Sequence, residues 1–328
     1  MRRAAATGVL LAALALLPAL LAAGCGDDSR AAQTAAAGAP GTSTAMSGSA
    51  APRPRDVEGP TLAAAGDVAC APGEPRTRFA CHQLDTAALI ARLDPDAVAL
   101  LGDLQYETGS LADFQGSFDR TWGRFRDRMR PAVGNHEYGT PGAAGYFAYF
   151  GDRAGQPDEG WYSYGLGSWR VVVLNANCGI VGCRAGSPQQ RWLAADLAAH
   201  PARCTLAYWH QPRFSSGLHG SDAALAPLWR TLQRGGADVA LSGHDHDYER
   251  FAPQDADGRL DRARGIVQFV VGTGGKSHYP ILLAHRTSRA HASVFGVLRL
   301  TLGRGAYRWR FVAEPGVGFR DGGTARCH

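Results

Sequence analysis

Five times along this chain a short apolar run ends in a residue type that binds metal ions. Thr61–Ala65 closes in Gly66-Asp67, and Asp96–Leu101 closes in Gly102-Asp103. Pro131–Gly134 leads to Asn135-His136-Glu137, Cys204–Trp209 to His210, and Ala237–Leu241 to Gly243-His244-Asp245-His246. Apolar runs of this length bounded by turn residues read as buried strands. A strand buried on both faces needs other layers above and below it, so this pattern alone restricts the chain to a layered architecture.

The segments between these runs supply the helices. His82–Leu93 has helical spacing, with Leu84, Ala88, Leu89 and Leu93 on one side. Leu111–Met129 carries Phe114, Phe118, Trp122 and Phe125 near a helical repeat, which reads as a core-packing stripe. Ser187-Pro188 is a cap followed by a first-turn proline and opens a helix to His200; Ala223–Arg234 is another helix. Trp161–Tyr164 and Trp169–Asn175 read as a strand pair, Ile266–Val271 as a strand, and Val297–Phe311 as a hairpin turning at Gly303–Gly305. Strands that repeatedly end in polar tips and lead into helices predict an α/β sandwich with its site at the strand C-terminal ends.

Taken singly, each polar tip has an ordinary explanation. Gly-Asp after a strand is a common turn, and a lone histidine at a strand end is more often structural than a ligand. Together, Asp67, Asp103, Asn135, His210, His244 and His246 offer oxygen and imidazole donors suited to first-row divalent or trivalent ions. The set exceeds what one ion needs and matches two ions sharing a carboxylate, a site that stabilises both attacking and leaving oxygens of an in-line displacement.

The order Gly66-Asp67, Gly102-Asp103, Gly134-Asn135-His136-Glu137, His210 and Gly243-His244-x-His246 resembles the calcineurin-like metallophosphoesterases over roughly residues 61–250. Many members of that family carry Asp-x-His in the first motif, where this chain has Ala69. The second motif, Asp103-Leu104-Gln105-Tyr106, supplies a substitute, and Asp-x-x-Tyr resembles the purple acid phosphatase branch. Trp209-His210-Gln211-Pro212 and Tyr248-Glu249-Arg250 are similar to that branch as well.

The resemblance implies a four-layer α/β/β/α sandwich and a binuclear metal-dependent phosphoric ester hydrolase, foremost a phosphomonoesterase. One ion would be held by Asp67, Asp103, Tyr106 and His246, and the other by Asp103, Asn135, His210 and His244. Fe(III) is expected at the Tyr106 site, and Zn, Mn or Fe at the second. His136 and His219 are the expected catalytic histidines, while Glu137 and Asp245 are expected to be supporting groups. A phosphodiesterase or nucleotidase using Zn or Mn on the same core is the alternative, and a non-catalytic surface-binding lipoprotein is a third reading with a broken ligand set as its mark. His82, His200, His278, His285, His291 and His328 have no motif support. Gly272-Thr273-Gly274-Gly275-Lys276 does not fit a nucleotide-cradling pattern and reads as a tight loop near the site.

The front of the chain has a different character. Met1–Arg3 is basic, Gly8–Ala23 is apolar, and Leu21-Ala22-Ala23-Gly24-Cys25 resembles a bacterial lipobox. Residues 1–25 are thus expected to be an export signal. A lipid at Cys25 would anchor the chain to the outer face of the membrane; a plain secretory signal, giving a secreted or periplasmic protein, is the other reading. Residues 26–58, rich in Ala, Gly, Ser, Thr and Pro, are expected to be a flexible tether, and residues 59–328 the catalytic domain. The formal net charge of +5 is dispersed, which implies no nucleic-acid partner but favours a small anionic substrate such as a phosphate ester. Six cysteines besides Cys25 in an exported chain suggest disulfides. Proximity favours Cys70–Cys81 and Cys178–Cys183, leaving Cys204–Cys327; a cysteine metal site is weaker because no C-x-x-C pair occurs.

Overall fold

A computed structural model of the chain describes residues 57–281 and 283–328. The expected export signal, Cys25 and most of the tether lie outside the described residues. Two mixed β-sheets face each other. The first contains β1 (Thr61–Ala65), β2 (Ala97–Leu101), β3 (Met129–Ala132), β11 (Gly296–Gly303), β12 (Ala306–Ala313) and β13 (Gly322–Arg326), in the order β13-β12-β11-β1-β2-β3. The second contains β4 (Tyr162–Leu166), β5 (Trp169–Val173), β6 (Cys204–Tyr208), β7 (Val239–Ser242), β8 (Tyr248–Phe251), β9 (Val267–Val271) and β10 (Ser288–Ala292), in the order β10-β8-β9-β7-β6-β5-β4.

The period-2 alternation of strands decides which layer each residue joins. Val171, Val173, Leu206, Tyr208, Val239, Leu241, Phe269 and Val271 point into the core between the sheets. Their neighbours Val172, Ala207, Ala240 and Val270 join a second core with Leu193, Leu228, Trp229 and Leu232. Those last four lie on the helices Pro188–Ala199 and Ala226–Arg234, which cover the outer face of the second sheet. Gln83–Leu93 packs against β11 of the first sheet. Its buried face holds Thr86, Ala87, Leu89 and Ile90, whereas Leu84 is exposed. Of the expected apolar side, Leu89 is buried and Leu93 packs against the core, while Leu84 in the first turn is not covered. The layers match the metallophosphoesterase sandwich.

Leu111–Arg128 is helical but not one helix. Its first turn is capped by the Ser110 hydroxyl, which accepts the Asp113 N–H at 3.1 Å. The ladder then widens into a π turn at Phe114–Phe118 and tightens to a 3₁₀ stretch at Gly123–Arg128. The amide oxygen of Gln105 accepts the Phe118 N–H at 3.0 Å, an inserted side chain of the kind that interrupts a helix. Phe114, Phe118 and Trp122 are fully buried, as core packing requires. Met129 begins β3 instead of ending the helical segment.

All six domain cysteines pair, as Cys70–Cys81, Cys178–Cys183 and Cys204–Cys327. The last joins the start of β6 to the residue following β13. No described helix is long and apolar enough to cross a membrane.

Candidate metal centre

Each of the strands β1, β2, β3, β6 and β7 delivers its polar tip to the same edge of the sandwich. Asp67, Asp103 and His244 adopt left-handed φ values of 59°, 49° and 72°. Such conformations are costly outside glycine and turn the chain sharply as it leaves the strand. The preceding glycines make room for this. A Cβ on Gly134 would lie 2.1 Å from Asp103 Oδ1, and one on Gly102 would lie 2.6 Å from His210 Nδ1. Glycine before Asp67, Asp103, Asn135 and His244 is thus a packing requirement of the site.

The tips converge into two groups sharing Asp103. In the first, the Tyr106 hydroxyl lies 2.9 Å from Asp67 Oδ1, 3.2 Å from Asp103 Oδ2 and 3.0 Å from His246 Nε2. Asp67 Oδ1 and His246 Nε2 are 3.3 Å apart. In the second, His210 Nε2 lies 3.0 Å from Asp103 Oδ2, 3.1 Å from Asn135 Oδ1 and 3.2 Å from His244 Nδ1. Ligand atoms of Asp103, His210 and His244 all lie within 4.8 Å of one another. All seven residues that the sequence singled out therefore come together.

The donor atoms outnumber the protons available between them. One phenolic proton faces three lone-pair atoms in the first group. In the second, His210 Nδ1 is committed to the Leu101 carbonyl at 2.8 Å, and its Nε2 faces a carboxylate, an amide oxygen and another imidazole nitrogen. Converging lone pairs of this kind, fully buried at Asp67 and His210, suit cations.

The electrostatics sort the groups. Burial would raise the Asp103 carboxyl, but the charges of His210 and His136 and their bonds to it hold it well below the usual carboxylate range. Burial works against protonation of His210, yet Asp103 outweighs it and lifts the imidazole to about 9. Burial, with His210 and His219 beside it, pushes His244 down to about 3, which leaves it neutral with a free lone pair. Burial first, then Asp103 and Asp67, raises the Tyr106 phenol well above its ordinary value. Its ionisation therefore calls for a compensating positive charge.

Glu137 braces the site from below. Its two carboxylate oxygens accept N–H groups from Asp103 at 3.0 Å, Leu104 at 2.8 Å, Gln105 at 3.3 Å and Gly134 at 2.7 Å. It thereby ties the loop after β2 to the loop after β3. Burial and the facing Asp103 carboxylate raise it to about 7.

Two more histidines flank the centre. His136 donates through Nδ1 to the Glu107 carbonyl at 2.6 Å, leaving Nε2 3.9 Å from Asp103 Oδ2. His219 Nδ1 lies 3.1 Å from Asp245 Oδ1, which also accepts the His219 N–H at 2.8 Å, and its ring centroid is 4.2 Å from that of His244. Both are partly exposed, with Nδ1 fixed and Nε2 uncommitted.

The loop after β9 contributes residues that no motif announced. Ser277 Oγ lies 2.7 Å from His246 Nδ1, which directs Nε2 to the centre. The Tyr279 ring stacks on His246 at 4.0 Å and 8°, and the Tyr279 N–H donates to the His246 carbonyl at 3.0 Å. Lys276 Nζ sits 4.9 Å above the Tyr106 ring and pairs with Glu107. The Gly-rich stretch in front of them was the only signal in the sequence.

Residues 62–248 match the calcineurin-like phosphoesterase family. The chain belongs to that family. Over 244 residues it is 31% identical to an uncharacterised Mycobacterium tuberculosis protein, the match covering 59% of this chain and 44% of the relative. The chain thus matches less than half the length of that relative. It is 27% identical to a nucleotide pyrophosphatase/phosphodiesterase of Hordeum vulgare, with 70% of this chain and 71% of the relative covered. The fold is similar to that of the purple acid phosphatase PPD1 from yellow lupin seeds, with a TM-score of 0.71 at 19% identity, covering 84% of this chain and 55% of that one. The calcineurin-like phosphoesterase family works through a two-metal centre. The donor set described above fits that requirement.

Proposed function

We propose that the chain is a binuclear phosphomonoesterase of purple acid phosphatase type. The observation that carries this reading is the convergence of Asp67 Oδ1, Asp103 Oδ2 and His246 Nε2 on the Tyr106 hydroxyl, at 2.9, 3.2 and 3.0 Å. Asp67, Asp103, Tyr106 and His246 would hold one ion, Fe(III), and Asp103, Asn135, His210 and His244 would hold the other, Zn, Mn or Fe. When bound, the ions supply Lewis-acid charge for in-line displacement at phosphorus.

The remaining work falls to the chain's own side chains. His136 and His219 stand on two sides of the centre, each fixed through Nδ1. Their Nε2 atoms hold the non-bridging phosphate oxygens and pass a proton to the departing alkoxide. Glu107 and Asp245 keep the two rings in place. The Cys25 lipid anchor, the tether and an outer-face location complete this reading; they agree with the three disulfides, which suit an oxidising compartment.

The test is a visible spectrum with metal analysis of the purified protein under non-reducing conditions. A broad band in the visible that disappears in Tyr106→Phe, with iron as one of two metals per chain, supports the assignment. A colourless protein with two zinc or manganese ions removes the ferric site. The similarity to the barley enzyme favours a diesterase as the second reading, and the ratio of monoester to diester hydrolysis separates the two.

A further inference from the structure

Lys276 is the one lysine in a chain with 34 strong bases, and it stands beside the metal centre. Its backbone is tied on both sides. The N–H donates to the Asp67 carbonyl at 2.9 Å, and the carbonyl accepts the Cys81 N–H at 3.2 Å. Cys81 is in turn bonded to Cys70 on the loop after β1. From this fixed root the mostly covered side chain crosses to the loop after β2. Its Nζ lies 4.9 Å from the centre of the Tyr106 ring, pairs with Glu107 and approaches Glu74 Oε2 at 3.5 Å. A compact ammonium with three rotatable donors suits two carboxylates and a ring face better than the planar fork of a guanidinium.

Glu107 links this lysine to the reaction. Among the described residues, Lys276 is the hydrogen-bond partner of its carboxylate, and His136 Nδ1 lies farther off, 3.9 Å from Oε2. About half of that side chain faces solvent, so packing does little to restrain it. The Glu107 carbonyl accepts His136 Nδ1 at 2.6 Å, the one hydrogen bond that the His136 side chain makes among the described residues. The His136 and Tyr106 rings are 4.3 Å apart and tilted by 49°, so the four residues form one cluster. The place of His136 Nε2 therefore depends on where Glu107 is held.

We infer that Lys276 is a positioning residue for His136: the ammonium holds Glu107, and Glu107 holds the imidazole so that Nε2 meets the leaving oxygen. The inference rests on the phosphoesterase reading with His136 as proton donor, and adds the residue that aims it. As the P–O bond breaks, the Nε2 proton passes to the departing alkoxide while Nδ1 stays on the Glu107 carbonyl. Lys276 acts only through that chain, so its effect shows where the leaving group needs a proton.

The experiment measures kcat and KM of the full chain for p-nitrophenyl phosphate and ethyl phosphate. p-Nitrophenolate departs without a proton and ethoxide does not, so the ratio of the two kcat values reports the donor. Lys276→Met should lower kcat on ethyl phosphate by about 10–100-fold and on p-nitrophenyl phosphate by about 3-fold or less, with KM little changed. Glu107→Ala should do the same, and the double variant should be no slower than the slower single one. His136→Gln sets the limit, with the ratio displaced further in the same direction. No loss, equal losses on both esters, or losses that multiply in the double variant overturn the inference and leave the phosphoesterase reading intact. Should the melting curve show that Lys276→Met does not fold, Glu107→Ala, at a half-exposed side chain, decides alone. A wild-type protein that hydrolyses neither ester overturns both.

Discussion

Glu137 offers the sharpest test of how the centre is held. Its carboxylate accepts four backbone N–H groups from Asp103, Leu104, Gln105 and Gly134, and it is fully buried. Hydrogen bonds to a charged acceptor contribute about 1.5–3 kcal/mol each, so four give a gross term of at least about 6 kcal/mol. The rise to about 7 is what remains after those bonds have lowered the pKa, so ionisation of Glu137 weakens the fold as the pH climbs through 7. Glu137→Leu, which fills the space but accepts nothing, leaves four buried N–H groups without an acceptor and should lower unfolding stability by about 3 kcal/mol at about pH 6, where the carboxyl is protonated. Glu137→Gln keeps one acceptor oxygen and should lose about half of that. The assay is urea unfolding of metal-stripped protein, followed by intrinsic tryptophan fluorescence. Both variants within 0.5 kcal/mol of wild type would refute the reasoning, because the two ligand loops would then be holding their shape without the brace. Unchanged stability with weakened metal binding would likewise show that Glu137 acts on the ions and not on the backbone.

Two further outcomes follow from neighbouring contacts. Ser277→Ala removes the partner of His246 Nδ1 and should weaken metal binding by about 10–100-fold, read by chelator competition, with no change in the metal-free melting temperature; equal affinities would sink this role. Asp321 joins the two sheets by accepting from Arg250 Nε at 2.7 Å and Nη2 at 2.9 Å, Tyr248 OH at 2.6 Å and Trp309 Nε1 at 3.1 Å. Burial opposes its ionisation, but the bonds from Arg250 and Tyr248 prevail and lower its pKa. Its contribution is therefore complete above the unfolded value of about 4 and fades as the pH falls through the lower folded value. Asp321→Asn should cost about 2–3 kcal/mol at pH 7 and less below pH 3; a penalty independent of pH would rule out this ion pair as its source.

The parts of the fold that were legible share a physical cause. β1, β2, β6 and β7 are buried on both faces, so their sequences are continuous apolar runs, and the polar residue that ends each run stands out. β8, β10 and β13 were not legible. Tyr248-Glu249-Arg250-Phe251 mixes core residues with an arginine whose partner, Asp321, immediately precedes β13 of the other sheet. β10 and β13 are edge strands, half-exposed and short of apolar residues. The irregular course of Leu111–Arg128 depends on one amide oxygen, that of Gln105, arriving from another loop, and local periodicity carries no trace of such a contact. The same limit applies at the centre. The strand-end residues could be named because each ends an apolar run, whereas Ser277 and Tyr279 act on His246 from 31 and 33 positions away in the chain.

The charge pattern explains why those distant supports are needed. Asp67 and Asp103 are fully or nearly fully buried beside a phenol that cannot ionise unaided, and Asp103 keeps its charge because His210 carries a proton up to about 9. His244, a few ångströms away, is neutral down to about 3. One carboxylate thus sits between a protonated imidazole and a neutral one, and the two histidines differ only in their neighbours. A cation at the second group would take the place of a proton at His210 Nε2, the ring atom turned to Asp103 and Asn135. The scaffold therefore holds the carboxylate charged and the ring atoms aimed by bonds outside the centre: the Leu101 carbonyl on His210, Ser277 on His246, and four backbone N–H groups on Glu137. A centre in which the ligands held one another would collapse into its own hydrogen bonds whenever the charge balance changed. One braced from outside keeps its shape through that change, and the three left-handed residues at the strand ends are the strain it carries to do so.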